Sequence, residues 1–235
     1  MFMLSNMSKI FVLCLMVFFG FSINSSEAIV AVDHKKIEGK DNIEVYVPKV
    51  KDSKHKANQE KINSILSGFA QGGLADFKEV LAEDKKQGAD ADRIQYYTFY
   101  SGYRVAYNDN DILSVALDGY MYTGGAHGMS WRNSVTTNLA TGKIYKLNDL
   151  FAKDSNYQDV LNEKIEKQID EIEGLRDAIE FYGVNENTSF YITKELLVIY
   201  YQEYEIGPYV IGKPSFYIFL NDIRDILATE LKYTI

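Results

Sequence analysis

Between residues 94 and 147, aromatic and apolar side chains fall on alternate positions, and this pattern restricts the fold more than any other feature. Tyr97, Phe99, Tyr103, Val105 and Tyr107 read as one face of a strand. Leu113, Val115, Leu117 and Met121 read as one face of the next. A period of two is the period of a pleated strand with one buried face. Asn108-Asp109-Asn110-Asp111 between the runs carries turn chemistry. Trp131, Val135 and Leu139 continue the pattern after a glycine-rich break. Ala140-Thr141-Gly142-Lys143 then suits a tight hairpin with Gly142 in the left-handed position. The expectation is a series of antiparallel strands.

The flanking segments carry other periods. Residues 29–50 read as extended chain with a turn, and Pro48 suits an edge position. In residues 58–85, Ile62, Ile65, Leu66, Phe69, Leu74, Phe77, Val80 and Leu81 recur near 3.6-residue spacing, which predicts a helix. Gly72-Gly73 predicts a kink or break within it. A second helix is expected over 156–174, with Tyr157, Leu161, Ile165, Ile169 and Ile172 as its stripe, Asp154 or Ser155 as its cap, and Gly174 at its end. Strands are expected at 190–192, 196–204 and 215–220, and a short closing helix at 223–231. Segregated helices and strands give an α+β fold: antiparallel sheets with helices packed on one face, in two similar-sized β/α modules.

The N-terminus reads as an export leader. Lys9 is the only charge in the first 26 residues, and an apolar run follows it from Ile10 to Phe19. That run is short of the ~20 residues of a spanning helix. Ser26-Glu27-Ala28 offers small residues before a cut, so cleavage near Ala28 is expected; an uncleaved anchor is the alternative. The organisation expected is a leader at 1–28, an N-terminal module at 29–125 and a C-terminal module at 126–235. The protein would be periplasmic or extracellular, touching membrane only through the leader before cleavage. The single cysteine, Cys14, lies in the leader, so the remaining chain holds no thiol and relies on core burial. The net charge of −8 is unchanged by processing, because Lys9 and Glu27 leave together. Acidity argues against a nucleic-acid partner, which calls for a basic patch. A hydrophobic fraction of 46% is too high for a disordered chain.

Chemistry-bearing motifs are sparse. His34, His55 and His127 are far apart in sequence, without the clustered spacing of a zinc site, so no metal or other cofactor is expected. No nucleophile elbow, phosphate loop or dinucleotide-binding turn occurs, and Ser130 and Ser134 have no motif around them. Two segments stand out. In the first, Tyr122-Thr123-Gly124-Gly125-Ala126-His127-Gly128, three glycines permit unusual backbone, giving either a recognition loop centred on His127 or a bulge joining two strands. The second, Gln202-Glu203-Tyr204-Glu205-Ile206-Gly207-Pro208-Tyr209, places two carboxylates two residues apart on an expected strand. Glu203 and Glu205 could form a glycosidase pair or line the wet side of a half-exposed strand. Its tyrosines suit recognition of proteins or glycans.

These segments, with Leu139-Ala140-Thr141-Gly142-Lys143, Leu147-Asn148-Asp149-Leu150-Phe151 and Phe190-Tyr191-Ile192-Thr193, carry a resemblance. They resemble the extracellular domain pair of RsiV-type anti-sigma factors, whose N-terminal half also accompanies the catalytic domain of PdaC-type peptidoglycan deacetylases. The resemblance covers nearly all of the chain after the leader. It implies an envelope-exposed, non-catalytic α+β module, and in RsiV-type members the region binds lysozyme. Only about nine residues precede the apolar run, so a cytoplasmic sigma-binding domain is not expected, nor is a deacetylase domain. With the export signal and the acidic charge, the resemblance makes Tyr122, Thr123, Gly124, Gly125, His127, Gln202, Glu203, Tyr204, Glu205 and Tyr209 the candidate ligand-binding residues. The partner would be a lysozyme-like cationic protein or peptidoglycan. A glycan hydrolase using a carboxylate pair and a purely structural envelope protein are the alternatives.

Overall fold

A computed structural model describes residues 31–38, 42–51, 54–232 and 235. The leader reading falls on residues outside this set. The strands are β1 (Ala31–Glu38), β2 (Ile43–Lys51), β3 (Thr98–Asp109), β4 (Ile112–Tyr122), β5 (Met129–Asn138), β6 (Lys143–Ile144), β7 (Phe190–Ile192), β8 (Leu196–Tyr200) and β9 (Ser215–Phe219). The helices are α1 (Lys56–Lys86), α2 (Ala91–Ile94), α3 (Tyr157–Asp170), α4 (Leu175–Ala178) and α5 (Thr229–Lys232).

β1 to β6 form one sheet in sequence order, antiparallel throughout except for a short parallel pairing of β2 with β3. β7, β8 and β9 form a second, antiparallel sheet. The alternating pattern fixes both faces of the larger sheet. Leu113, Val115, Leu117 and Val135 point to α1 and meet Ile62 and Leu66 there. Val45 and Phe99 meet Ala70, Leu74 and Phe77 further along the same helix. The opposite parity turns to the smaller sheet: Ala116 packs with Tyr191, Val198 and Tyr200, and the Ile192 N–H donates to Ser114 Oγ at 3.1 Å. The far face of the smaller sheet, with Ile192, Leu197, Ile199 and Ile218, buries Leu161, Ile165 and Ile169 of α3. The layers therefore run α1, six strands, three strands, α3. This is the expected α+β class, with the main helix of each half on one face of its sheet. Each fully buried Leu or Ile contributes about 1.5–3 kcal/mol, so these stripes hold the layers together.

Turn chemistry sets the hairpins. Asn110 (φ 48) and Asp111 (φ 60) form the two-residue β3–β4 turn with positive φ at both positions, the type that matches strand twist. Gly142 takes the left-handed position at φ 70, as expected.

Several local expectations change. α3 stops at Asp170, so Ile172 lies exposed beyond it and Gly174 opens α4 instead of closing α3. α1 is unbroken through Gly72-Gly73; a Cβ on Gly73 would lie 2.7 Å from the Trp131 ring, so this glycine admits an aromatic ring rather than a bend. Tyr107 leaves the face it was expected to share with Phe99 and Tyr103. The β3–β4 register shifts between Val105 and Tyr107, and the extra residue turns Tyr107 toward the C-terminal core. β2 is not an edge strand, since β1 pairs along its length; Pro48 lies beyond the three residues that pair with β3. Finally, β8 stops at Tyr200 rather than running to 204, and Tyr204 sits in the left-handed region at φ 66.

Candidate functional site

The two segments singled out in the sequence meet at the Met129 end of β5. The first joins β4 to β5 as a loop. Gly124 (φ 87) and Gly125 (φ 111) hold backbone that other residues rarely adopt. The Tyr122 hydroxyl donates to the Gly125 carbonyl at 3.1 Å and closes the loop on itself. His127 is exposed, and its Nδ1–H donates to the Gly128 carbonyl at 2.9 Å. Gly128 is buried under Tyr120, where a Cβ would lie 2.4 Å from the tyrosine hydroxyl. Gly124 faces away from this cluster, toward Arg93 and Tyr97.

The second segment leaves β8 and turns sharply. The Gln202 N–H donates to Glu205 Oε2 at 2.6 Å, a local bond that shapes the turn. Pro208 then leads into a short 3₁₀ turn at Tyr209–Ile211. This brings the Tyr209 ring flat onto His127, with centroids 3.8 Å apart and an interplanar angle of 19°. Tyr204 lies beside Tyr209 at 5.9 Å. His127, Tyr209 and the exposed Tyr204 thus form an aromatic row drawn from both segments.

Beneath the row, polar side chains tie the second segment to β5. The Gln202 carboxamide bonds both backbone groups of Arg132: Arg132 N–H donates to Oε1 at 2.9 Å, and Nε2 donates to the Arg132 carbonyl at 2.7 Å. One side chain substitutes for a missing strand residue there. Gln168 does the same for Tyr217 at the edge of β9. The Ser130 N–H donates to Glu203 Oε2 at 3.2 Å, the Ser130 hydroxyl donates to Glu203 Oε1, and Lys213 Nζ donates to Ser130 Oγ at 2.8 Å. Burial pushes the Lys213 ammonium pKa down, against the opposing pull of Asp118 and Glu203. Burial also works against the Arg132 guanidinium, but its 2.8 Å bond to Asp118 prevails and its pKa rises. Arg132 lies over the Tyr200 ring at 5.6 Å. A small cavity of about 240 Å3 opens beside these groups. Val80, Met121 and Met129 make its apolar wall, and Thr123, His127, Glu203 and Tyr204 its polar side.

Of the expected residues, His127, Tyr204, Tyr209, Glu203 and Thr123 converge on one surface. Tyr122, Gly125, Gln202 and Glu205 shape and anchor the two segments. The premise of a Glu203–Glu205 pair on one strand face does not hold. Both lie in a turn, Glu203 bonded to Ser130 and Glu205 to the Gln202 backbone. Lys213 and Met129 had no functional place in the sequence reading, Ser130 stood there without a motif, and Val80 and Met121 counted as core positions of a helix and a strand. The alternation Ser130, Arg132, Ser134 was the available signal, a polar stripe on a strand face that packs against a second sheet. Among the described residues no group of three or more His, Cys, Asp or Glu is placed to hold a metal. No described helix is long and apolar enough to cross a membrane.

The family described as Deacetylase PdaC matches residues 37–130, and the protein family of unknown function DUF3298 matches residues 148–220. The peptidoglycan-N-acetylmuramic acid deacetylase PdaC of Bacillus subtilis is 23% identical over 178 residues, which cover 73% of this chain. The chain spans only 37% of that relative's length. The anti-sigma-V factor RsiV of the same organism is 25% identical over 215 residues, covering 87% of this chain and 72% of the relative. A DUF3298 structure from Bacteroides fragilis superposes with a TM-score of 0.62 at 19% identity, covering 85% of this chain and 94% of that one. One from Pseudomonas aeruginosa gives 0.53 at 18% identity, covering 86% and 94%. Both structures share the fold. The two family regions, present in order, and the similarity to RsiV and PdaC support an RsiV/PdaC-type family.

Proposed function

We infer that this protein is an exported envelope module that binds a partner and performs no chemistry on it. In this reading residues 1–28 serve as the leader, cleaved near Ala28. Two modules follow, at 29–125 and 126–235, a division that falls inside the β4–β5 hairpin of the larger sheet, and residues 122–128 and 202–209 form one contact surface. The observation that carries the reading is the stacking of His127 on Tyr209 at 3.8 Å, which joins two segments far apart in sequence into one aromatic patch. Rigid aromatic side chains on a surface supply contact area at low entropy cost. The partner proposed is a basic envelope-active protein such as lysozyme, drawn by the net charge of −8; peptidoglycan itself is the second candidate. The relationship to RsiV supports the choice.

The test is retention of lysozyme on the immobilised protein at low and moderate salt. The expected result is retention that weakens as salt screens the charges and is lost in Tyr209→Ala. Absence of retention at both salt levels sinks the lysozyme reading. Hydrolysis through Glu203 and Glu205 is the competing reading. Peptidoglycan cleavage that disappears in the Glu203→Gln, Glu205→Gln double variant would favour it.

A further inference from the structure

A second cavity, of about 740 Å3, lies at the other end of β5. Lys143 lines it, and Lys143 pairs with Asn138 at the far end of the strand from Met129. Ten strand residues place the two cavities roughly 30 Å apart. The larger one falls within the size range of small-molecule sites.

Its walls are held in place from two directions. The Ala152 N–H donates to the Ile226 carbonyl at 2.9 Å, and the Ala228 N–H donates to the Leu150 carbonyl at 2.9 Å. These bonds tie the C-terminal segment to the 148–152 turn. Phe151 and Tyr157 stack nearly parallel, with centroids 4.7 Å apart, and both line the cavity, Tyr157 half-buried. Three carboxamides line the same space: Asn148, Gln158 and Asn185. Two of them are oriented by the fold. Gln158 Nε2 donates to the Val184 carbonyl at 3.1 Å, and Asn185 Oδ1 accepts from the Asn187 N–H at 2.9 Å. The lining carries Lys143 and Lys153 against Asp149, Glu186 and Glu230, and all of these but Lys153 are ion-paired. Lys143 Nζ sits 3.4 Å from Asp149 and 3.7 Å from Glu230, and Lys146 sits 3.6 Å from Glu186.

Those three properties select a ligand chemistry. A strongly ionic ligand would have to displace existing ion pairs. An apolar ligand would strip water from carboxamides without replacing its hydrogen bonds. A ligand with flat C–H faces and many neutral donors and acceptors suits both the ring and the amides, each of which donates and accepts. We propose that this cavity binds a short, uncharged oligosaccharide, with Tyr157 as the stacking platform and Asn148, Gln158 and Asn185 bonding its hydroxyl or acetamido groups. The site is independent of the aromatic patch at the other end of β5.

The full chain, isotopically labelled, is titrated by NMR with chitotriose and separately with maltotriose. Saturable shifts confined to residues 148–158, 185–186 and 228–230 with either sugar are expected, and the sugar that binds tells whether acetamido groups are read. Gln158→Ala and Asn148→Ala together weaken binding by about tenfold or more while the thermal midpoint is retained. Tyr157→Phe keeps the platform and retains binding. Absence of saturable shifts with both sugars at millimolar concentration overturns the proposal. So do shifts confined to residues 122–130 and 202–209, and so does preferential binding of a sulfated, heparin-derived tetrasaccharide.

Discussion

Gln202 offers the sharpest test of how the contact surface is held. Its carboxamide makes two hydrogen bonds to the backbone of Arg132, at 2.9 and 2.7 Å, and these fasten the second segment to β5. A hydrogen bond of this kind contributes about 1 kcal/mol net. Gln202→Ala removes both, so the expected loss is about 2 kcal/mol, or roughly 4–8 °C in thermal midpoint for a chain of this size. Gln202→Glu keeps the shape and the acceptor but has no donor for the Arg132 carbonyl. At neutral pH it sets a carboxylate against that oxygen, and the expected loss rises to about 3 kcal/mol. Below about pH 4 the new carboxyl is protonated and regains a donor. The stability gap between Gln202→Glu and wild type at the same pH then narrows. Urea unfolding followed by circular dichroism at neutral and acidic pH measures both differences. A Gln202→Glu variant as stable as wild type at neutral pH, or a gap that does not shrink in acid, would refute the peptide-mimic reasoning.

Other expectations follow from single positions. A Cβ on Gly119 would lie 2.2 Å from the Trp131 ring, so Gly119→Ala displaces the chain's one tryptophan. The cost is about 1–3 kcal/mol, and tryptophan emission should shift to the red; unchanged emission contradicts the packing. Tyr204 holds φ 66 without being glycine and is exposed. Tyr204→Gly should therefore gain about 1 kcal/mol in stability while lysozyme retention falls, and a stability loss would remove the strain argument. The Tyr201 hydroxyl is buried without a hydrogen-bond partner among the described residues. Burial, reinforced by Glu205 and partly offset by the neighbouring Thr188, which is not placed for a well-formed bond, pushes its pKa up to about 12. The unfolded chain releases this proton near pH 10 and the native state does not. Stability should thus fall as pH rises from 10 towards 12, by on the order of 2 kcal/mol from this residue. Tyr201→Phe should be at least as stable as wild type at neutral pH and lose less in alkali; chemical denaturation at pH 8 and pH 11 compares them.

Much of the secondary structure was legible because its signals are local. Alternation from Tyr97 to Tyr103 and from Leu113 to Met121 needs only a few consecutive residues to declare a strand, although burial of the opposite face of β4, at Ser114 and Ala116, was not declared by it. The stripe Leu161, Ile165, Ile169 declares α3 in the same way, and each of these three is buried. Asn110-Asp111 and Gly142 announced their turns because few other residues tolerate positive φ. The misreadings arose where a distant contact overrode a local signal. Gly72-Gly73 carries the local signature of a helix break, yet α1 continues because Trp131, nearly sixty residues later, needs the space beside Gly73. The cap of α3 was lost to a competing local bond instead: the Ser155 hydroxyl turns back to the Ala152 carbonyl, and the cap position falls on Asn156.

The sequence by itself determined which stretches are strands and helices, where the hairpins turn, and which two segments are chemically unusual. Only the tertiary structure decided what those segments do to each other. It brought His127 against Tyr209, and it made Glu203 a tie to Ser130 rather than half of a carboxylate pair. It also turned Gln202 into a substitute strand residue for Arg132, 70 positions away. The physical reason is range. Backbone preference and hydrophobic periodicity are encoded within one or two turns of chain. A stacked ring pair or a side-chain bond to a remote backbone depends on how whole sheets pack, and no short window of residues contains that information.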